Sequence, residues 1–195
     1  AEDAIRDPLW SRGLGDVYKR QVHTLSIHQA NLFPTGYSGL EDRGVGDGAG
    51  ANTNLPLPSG CGHDAYLYAI ESVVLPLIQS FRPDIIIIAN GLDASHVDPL
   101  GRMSCLSSTY AQMTSMIMAA ADEHCSGRVV AIHEGGYSEA YVPFCGHRVI
   151  EQLSGHTTAL EDPFLANFLQ QQPEDEQIQW QCGYIDRLAS SLDLV

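Results

Sequence analysis

Two carboxylates stand in the loop that follows the most apolar run of the chain. Asp93 and Asp98 lie within residues 89–101, ANGLDASHVDPLG, directly after the run DIIII at residues 84–88. The run predicts a buried strand of a parallel sheet. Because ligands bind beyond the carboxyl ends of such strands, both carboxylates are candidates for chemistry.

A tyrosine behind two glycines ends a second pattern of the same kind. Residues 127–132, GRVVAI, predict another buried strand, and His133-Glu134-Gly135-Gly136-Tyr137 follows it. Gly135 and Gly136 permit a close approach of the backbone to a neighbouring group. Two strands therefore end in polar, glycine-bearing loops, one with an Asp and the other with a Tyr, which indicates part of an active site.

The residue types alone leave more than one role open for each of these side chains. Asp93 suits a divalent cation, and catalytic zinc takes three protein ligands plus water, but the same carboxylate could cap a helix or bond to its own loop. Tyr137 could be a half-buried loop residue with its hydroxyl in water. Asp98 precedes Pro99 and is interpreted as a structural turn residue.

The elements that must position these loops alternate between strands and helices. Further predicted elements are strands at 24–28 and 52–57 and helices at 64–81, 106–124, 138–153 and 161–172. Pro76 predicts a kink in the first helix, and residues 173–177 predict a solvated loop. The alternation predicts an α/β fold with a parallel sheet.

The charge of the chain excludes some classes of partner. The formal net charge is -14, and residues 22–195 contain no Lys at all. So acidic a surface disfavours nucleic acid and anionic membrane, and no apolar run approaches membrane-spanning length. The charge could favour a cationic substrate, or it could be an ordinary soluble surface.

The cysteines favour a reducing compartment. There are five of them, at positions 61, 105, 125, 145 and 182, and no Cys-x-x-Cys pair occurs. This pattern argues against a disulfide framework and against a zinc finger, and it is typical of a cytoplasmic protein with buried thiols.

The two motif loops resemble those of the zinc-dependent deacetylase family. GLDASHVDPLGRMS (91–104) and HEGGYSEAYVPF (133–144) carry the resemblance, supported by residues 25–39 and 44–60. The family includes histone deacetylases, acetylpolyamine amidohydrolases and acetoin-utilisation proteins, and the bacterial class II-like amidohydrolases are nearest. The resemblance covers residues 22–155 and implies the C-terminal portion of an arginase/deacetylase-like three-layer fold with a mainly parallel sheet.

The resemblance implies a role for each of seven residues. Asp93 matches a zinc ligand, and Tyr137 matches the catalytic Tyr that donates a hydrogen bond to the substrate carbonyl. The other implied positions are substrate-binding for Phe33, Leu100, Gly135 and Gly136, and a structural monovalent cation (K⁺) for Ser26.

Other parts of the family pattern do not match this sequence. The Asp-x-His-x-Gly motif that supplies further zinc ligands upstream of the strand at 24–28 does not occur, and neither does the catalytic His pair. His96 and His133 lie in the motif loops but match no ligand position. They are interpreted as hydrogen-bonding residues.

Residues 1–21 do not resemble natural protein sequence. Residues 16–21, DVYKRQ, are the translation of GAT GTG TAT AAG AGA CAG, a transposon end used in sequencing libraries, and the upstream residues fit an adapter with one mismatch at Ala4. We expect this segment to be non-biological. Residues 22–195 are then the C-terminal part of a single deacetylase domain.

The resulting expectation is zinc-dependent hydrolysis of N-acetyl amides by the full-length parent protein. The substrate would be an acetylated lysine, a polyamine or a small acetylated amine, with no nucleic acid or membrane partner, and the chain alone is expected to be inactive. Two alternatives stay open. An arginase-like metallohydrolase would need several Asp and His ligands for two metals, and a non-enzymatic pseudo-deacetylase would be a binding module.

Overall fold

The computed structural model describes residues 21–33 and 39–192. The predicted adapter-derived segment therefore lies outside the described residues, apart from Gln21. The chain divides into two compact units, one ending at Leu57 and the other beginning at Pro58. Within the part that is described, no helix is long and apolar enough to cross a membrane.

The N-terminal unit contains one pair of parallel strands. β1 (Thr24–Gln29) pairs with β2 (Asn52–Leu57), with Thr24 opposite Asn52. Leu55 and Leu57 are fully buried. Both predicted strands are confirmed, and a short 3₁₀ turn (Gly46–Gly48) lies in the glycine-rich stretch between them.

The C-terminal unit has a second pair of parallel strands and six α-helices among its described residues. The strands are β3 (Ile86–Asn90) and β4 (Val129–His133). The helices are α1 (His63–Ala69), α2 (Leu75–Phe81), α3 (Ser107–Cys125), α4 (Val142–Ser154), α5 (Leu165–Leu169) and α6 (Asp175–Ser191). The predicted α/β class with parallel strands is confirmed.

The predicted helix at 64–81 forms, with a change of winding before Pro76. α1 and α2 are joined by a π-helical segment at Ile70–Val74. Proline has no backbone N–H, so a regular helix would lose one hydrogen bond at this point. The wider turn of the π-helical segment thus interrupts the regular α-helix just before Pro76.

The prediction that β3 and β4 are buried strands is wrong for one face of the pair. Ile87 is 63 % exposed, and Val130 and Ile132 are 45 % and 49 % exposed. The side chains alternate, so the other face is better covered. No third strand pairs with β3 or β4 in the described part of this unit. The apolar runs have the composition of a central strand, but these two strands lie in a two-stranded sheet.

The predicted solvated loop at 173–177 is also wrong at its C-terminal end. α6 begins at Asp175, and its N-cap residue Glu174 donates its backbone N–H to Gln177 Oε1 at 3.0 Å. Asp175 and Glu176 lie in the first turn, where carboxylates interact favourably with the helix dipole. The acidic residues therefore begin a helix, whose buried side includes Ile185 and Leu188.

Glu151 ties the end of α4 to the segment that follows it. Its carboxylate accepts bonds from Thr158 N–H at 2.6 Å and from Arg148 Nη1 at 2.6 Å. The Thr158 bond, followed by Arg148, lowers the pKa of Glu151 to about 2. α4 ends at Ser154, and its C-cap residue Gly155 has a φ of +65°, which glycine adopts without strain.

Glu151 should make the unit sensitive to acid. A carboxyl whose pKa is lower in the folded chain contributes stability that is present above its unfolded pKa and is lost as the pH falls toward about 2. We expect Glu151→Gln to remove this dependence, measured as urea midpoints between about pH 5 and 2. Glu123→Gln, at an exposed acid, is the matched control. Parallel pH profiles for the wild type and Glu151→Gln would contradict the assignment.

Candidate active site

Two loops emerge side by side from the parallel strands β3 and β4. We call residues 91–101 the Asp93 loop and residues 134–141 the Tyr137 loop. Asn90 is opposite His133 in the strand register, so both strands end at the same level. Leu92 N–H donates to Gly135 O at 2.8 Å, and Glu134 N–H donates to Asn90 O at 3.2 Å. The expected meeting of the two loops is confirmed by these backbone bonds.

Asp98 joins the two loops through its carboxylate. Oδ1 accepts the N–H groups of Leu100 at 2.8 Å and Gly101 at 3.0 Å, while Oδ2 accepts the N–H of Tyr137 at 2.8 Å. The residue is only 6 % exposed. The turn role predicted for Asp98 is correct, but no local pattern indicates its bond to Tyr137, which spans 39 positions.

Asp98→Ala should destabilise the chain, because three backbone N–H groups lose a charged acceptor. Bonds to charged groups contribute about 1.5–3 kcal/mol each, and the effects are not additive, so a loss of about 3 kcal/mol in unfolding free energy is expected. Urea unfolding measures it. Asp98→Asn keeps one acceptor oxygen and should lose less. Equal stability of Asp98→Ala and the wild type would show that the three bonds contribute nothing.

Asp93 lies where the two loops approach most closely. Its Cγ is 3.0 Å from the point that a Cβ on Gly135 would occupy, and its Oδ1 is 3.0 Å from the corresponding point on Gly91. Burial raises the pKa of the Asp93 carboxyl, and the negative charge of Asp98 acts in the same direction. Glycine at 91 and 135 therefore makes room for the half-buried carboxylate. A nearby cation would stabilise the ionised form of this carboxylate.

Gly136 constrains the backbone that leads into Tyr137. Gly136 has a φ of +133°, and a Cβ there would be 2.9 Å from Leu92 Cβ. Any other residue would be strained in this conformation and would press on the Asp93 loop. Tyr137 itself is 53 % exposed and borders a depression with Ser138, Glu139 and Pro143.

The end of the Tyr137 loop is held by a residue that the sequence did not single out. Tyr141 is fully buried, and its hydroxyl accepts the N–H of Ser107 at 2.9 Å. Its ring packs edge-on against Phe164 and Phe168. Tyr141 thus fixes the loop to the start of α3. The only sign of this contact in the sequence is that an aromatic residue stands four positions after Tyr137.

Three further predicted site residues are Leu100 in the Asp93 loop and Phe33 and Ser26 in the N-terminal unit. Leu100 is 57 % exposed within the Asp93 loop. In the N-terminal unit, Phe33 is 65 % exposed, and Ser26 Oγ bonds with His28 Nδ1 at 2.8 Å. The substrate-binding roles of Phe33, Leu100, Gly135 and Gly136 and the cation role of Ser26 stay predictions.

The histidine of the Asp93 loop makes structural contacts. His96 Nε2 bonds with Gln171 Oε1 at 3.1 Å, and its ring lies 4.7 Å from that of Phe168. The expected hydrogen-bonding role of His96 is confirmed. An Asp-x-His spacing does occur at Asp122-Glu123-His124, but it lies in the last turns of α3, where His124 is 3.8 Å from Glu123.

Asp93 suits a metal ion as a single ligand. It offers a hard carboxylate that burial holds away from water and that has no salt bridge within the described ranges. Catalytic zinc requires three protein ligands. The described residues contain no group of three His, Cys, Asp or Glu side chains that could hold a metal ion. Among the described residues, Asp93 is therefore a candidate for a single ligand position of such a site.

A family model, the histone deacetylase domain, matches residues 14–153 of the sequence. The chain belongs to the histone deacetylase family. It is 49 % identical over 179 residues to a histone deacetylase-like amidohydrolase from Pseudomonas aeruginosa, with 91 % of this chain and 47 % of that protein covered. It is 33 % identical over 161 residues to histone deacetylase 8 from Arabidopsis thaliana, with 80 % of this chain and 41 % of that protein covered.

Solved histone deacetylases share the fold. The structure of the histone deacetylase Clr3 superposes with a TM-score of 0.68 at 28 % identity, and 88 % of this chain and 28 % of that chain are covered. The predicted arginase/deacetylase-like fold is thereby confirmed. This histone deacetylase family chain spans about half the length of the curated relatives it matches.

Proposed function

We propose that the domain to which this chain contributes hydrolyses N-acetyl amides of the acetyl-lysine or acetylpolyamine type. The observation that carries the proposal is the junction of the Asp93 and Tyr137 loops, in which Asp98 binds the backbone of Tyr137 directly. A carboxylate for a metal and a phenol for an oxyanion are thus held on one rigid support. Membership of a deacetylase family supports the same chemistry.

Asp93 would be one of three protein ligands to zinc, and the others would come from parts of the family domain that are not among the described residues. When bound, zinc polarises the amide carbonyl and lowers the pKa of a water molecule. Tyr137 would donate its hydroxyl hydrogen bond to the carbonyl oxygen as negative charge develops there. Asp98 and the glycine pair would hold the backbone of Tyr137 in place, so that little reorganisation is needed during the reaction.

We further propose that the chain alone does not turn over substrate, because a single carboxylate binds zinc weakly. Residues 1–21 would have no part in the fold. Ser26 would lie near a structural K⁺ ion. The protein would act in the cytoplasm. The acidic surface suits a cationic substrate.

The decisive experiment compares this chain with a full-length family domain that contains residues 22–195. An acetyl-lysine peptide, an acetylated polyamine and a guanidino substrate would be assayed with and without chelator. Chelator-sensitive release of acetate by the full-length domain supports the proposal. Urea release from the guanidino substrate would favour an arginase-like enzyme. Absence of turnover on all three substrates, with zinc bound and the fold intact, would favour a non-enzymatic module.

A further inference from the structure

A shallow depression lies between the first half of α6 and the turn at Gly60. It is lined by Gly60, Pro173, Glu176, Trp180 and Gln181, all in the C-terminal unit. None of these residues belongs to the Asp93 loop or to the Tyr137 loop. The depression combines three features that each suit the same kind of ligand.

The first feature is a buried carbonyl oxygen that accepts no hydrogen bond. Gln181 is 6 % exposed, and its Nε2 donates to Gly60 O at 3.2 Å, which fixes the orientation of the side-chain amide. Its Oε1 is buried and has no partner among the described residues. Buried polar atoms nearly always have partners, so an unpaired acceptor beside a depression points to a bound donor.

The second feature is an exposed aromatic surface on the same helix. Trp180 is 55 % exposed, and its ring stacks on that of Tyr184 with centroids 5.7 Å apart. The guanidinium of Arg187 lies 5.5 Å from the centroid of the Tyr184 ring. This aromatic pair therefore already accepts one cation, and the ring of Trp is the best surface for another.

The third feature is a carboxylate one helical turn before Trp180. Glu176 lines the depression and forms no salt bridge within the described part of the chain. Residues four apart on a helix face the same side, so Glu176, Trp180 and Tyr184 form one stripe. The net charge of -14 adds a long-range attraction for cations.

The surroundings of the depression are held in place by hydrogen bonds. Tyr68 of α1 donates to Asp186 of α6 at 2.6 Å. The Gln172 amide, next to Pro173, accepts from His63 N–H at 3.0 Å and donates to Ser104 O at 3.0 Å. A site with fixed walls loses little entropy when a ligand binds.

From these features we propose that the depression binds a primary alkylammonium group. The ammonium would donate one hydrogen bond to Gln181 Oε1, its charge would face Glu176, and its alkyl stem would lie on Trp180. An anionic ligand would be repelled by Glu176, and a neutral alcohol would lack the charge. A free polyamine and a lysine side chain of a peptide both present this group. The proposal does not depend on the deacetylase function.

The test is calorimetric titration of the full chain with pentylamine, and with 1-pentanol as the uncharged analogue. We expect pentylamine to bind, pentanol to bind at least several-fold more weakly, and the difference to shrink as salt rises from about 0.05 to 0.3 M. Glu176→Gln should weaken pentylamine binding about 5-fold, and Trp180→Leu about 2- to 5-fold. Glu123→Gln, at an exposed acid of α3, should leave it unchanged.

Several results would overturn the proposal. These are no pentylamine binding, equal binding of pentanol, or the same loss for Glu123→Gln as for Glu176→Gln, which would indicate diffuse attraction by net charge. Glu176 lies on the exposed side of the first turn, so Glu176→Gln keeps the test valid if Trp180→Leu lowers the melting temperature. Spermidine and a lysine-containing peptide then distinguish the two sources of the ammonium, and the tighter ligand identifies the source.

Discussion

In the full-length domain, Tyr137→Phe is expected to lower kcat on an acetyl-lysine peptide by about 10²–10³-fold. The substitution removes one hydroxyl, and the loss of one oxyanion donor has this magnitude. The Tyr137 backbone is held by Asp98 and the Gly136 conformation, neither of which involves the phenol. Fold and metal content should therefore be unchanged, and the loss should appear in kcat more than in KM, because the bond strengthens as charge develops.

Steady-state kinetics with zinc content measured in the same samples checks this expectation. Tyr184→Phe is the matched control, since it also removes a phenol hydroxyl but lies in α6, outside both loops. Near-wild-type kcat for Tyr137→Phe, with Asp93→Ala inactive, would show that the oxyanion role is wrong.

Asp93→Ala is expected to abolish turnover in the full-length domain and to lower its zinc content. The carboxylate is the only proposed metal ligand in the Asp93 loop, and catalytic zinc needs three. Mass spectrometry of the intact, metal-loaded protein gives a readout apart from activity. Full zinc occupancy in Asp93→Ala would contradict the ligand role.

In the chain without metal, the Asp93 carboxylate is expected to lower the free energy of unfolding. Burial raises the pKa of Asp93, so its ionised form is disfavoured by folding, and the penalty is present above the folded pKa and disappears below the unfolded pKa. At pH 7, Asp93→Asn should therefore raise the urea midpoint of the isolated chain. A lower midpoint would indicate that the carboxylate already has a stabilising partner.

The sequence predicted the site best where chemistry and local pattern coincide. The runs before Asp93 and Tyr137 had both the composition of strands and polar, glycine-bearing ends, and both loops meet as expected. Helix boundaries at α3 were right to one residue, since a long run rich in Ala and Met has a high intrinsic preference for the helix.

Other features depend on contacts that no local pattern records. The buried side of α6 contains Gln181, which interrupts the apolar period, so the helix was missed. The bond from Asp98 to Tyr137 joins distant positions, and an Asp-Pro pair signals only a turn. The exposure of Ile87 depends on how many strands pair, which a single apolar run cannot indicate.

The open face of β3 and β4 bears on how a cell would treat this chain. Ile87, Val130 and Ile132 present neighbouring branched side chains on two parallel strands. Holdase chaperones bind such surfaces, and proteases degrade chains that remain bound to a chaperone. The lifetime of the chain in a cell would then be set by how quickly that face is covered after synthesis. Two chains of equal unfolding free energy could differ widely in abundance for this reason alone.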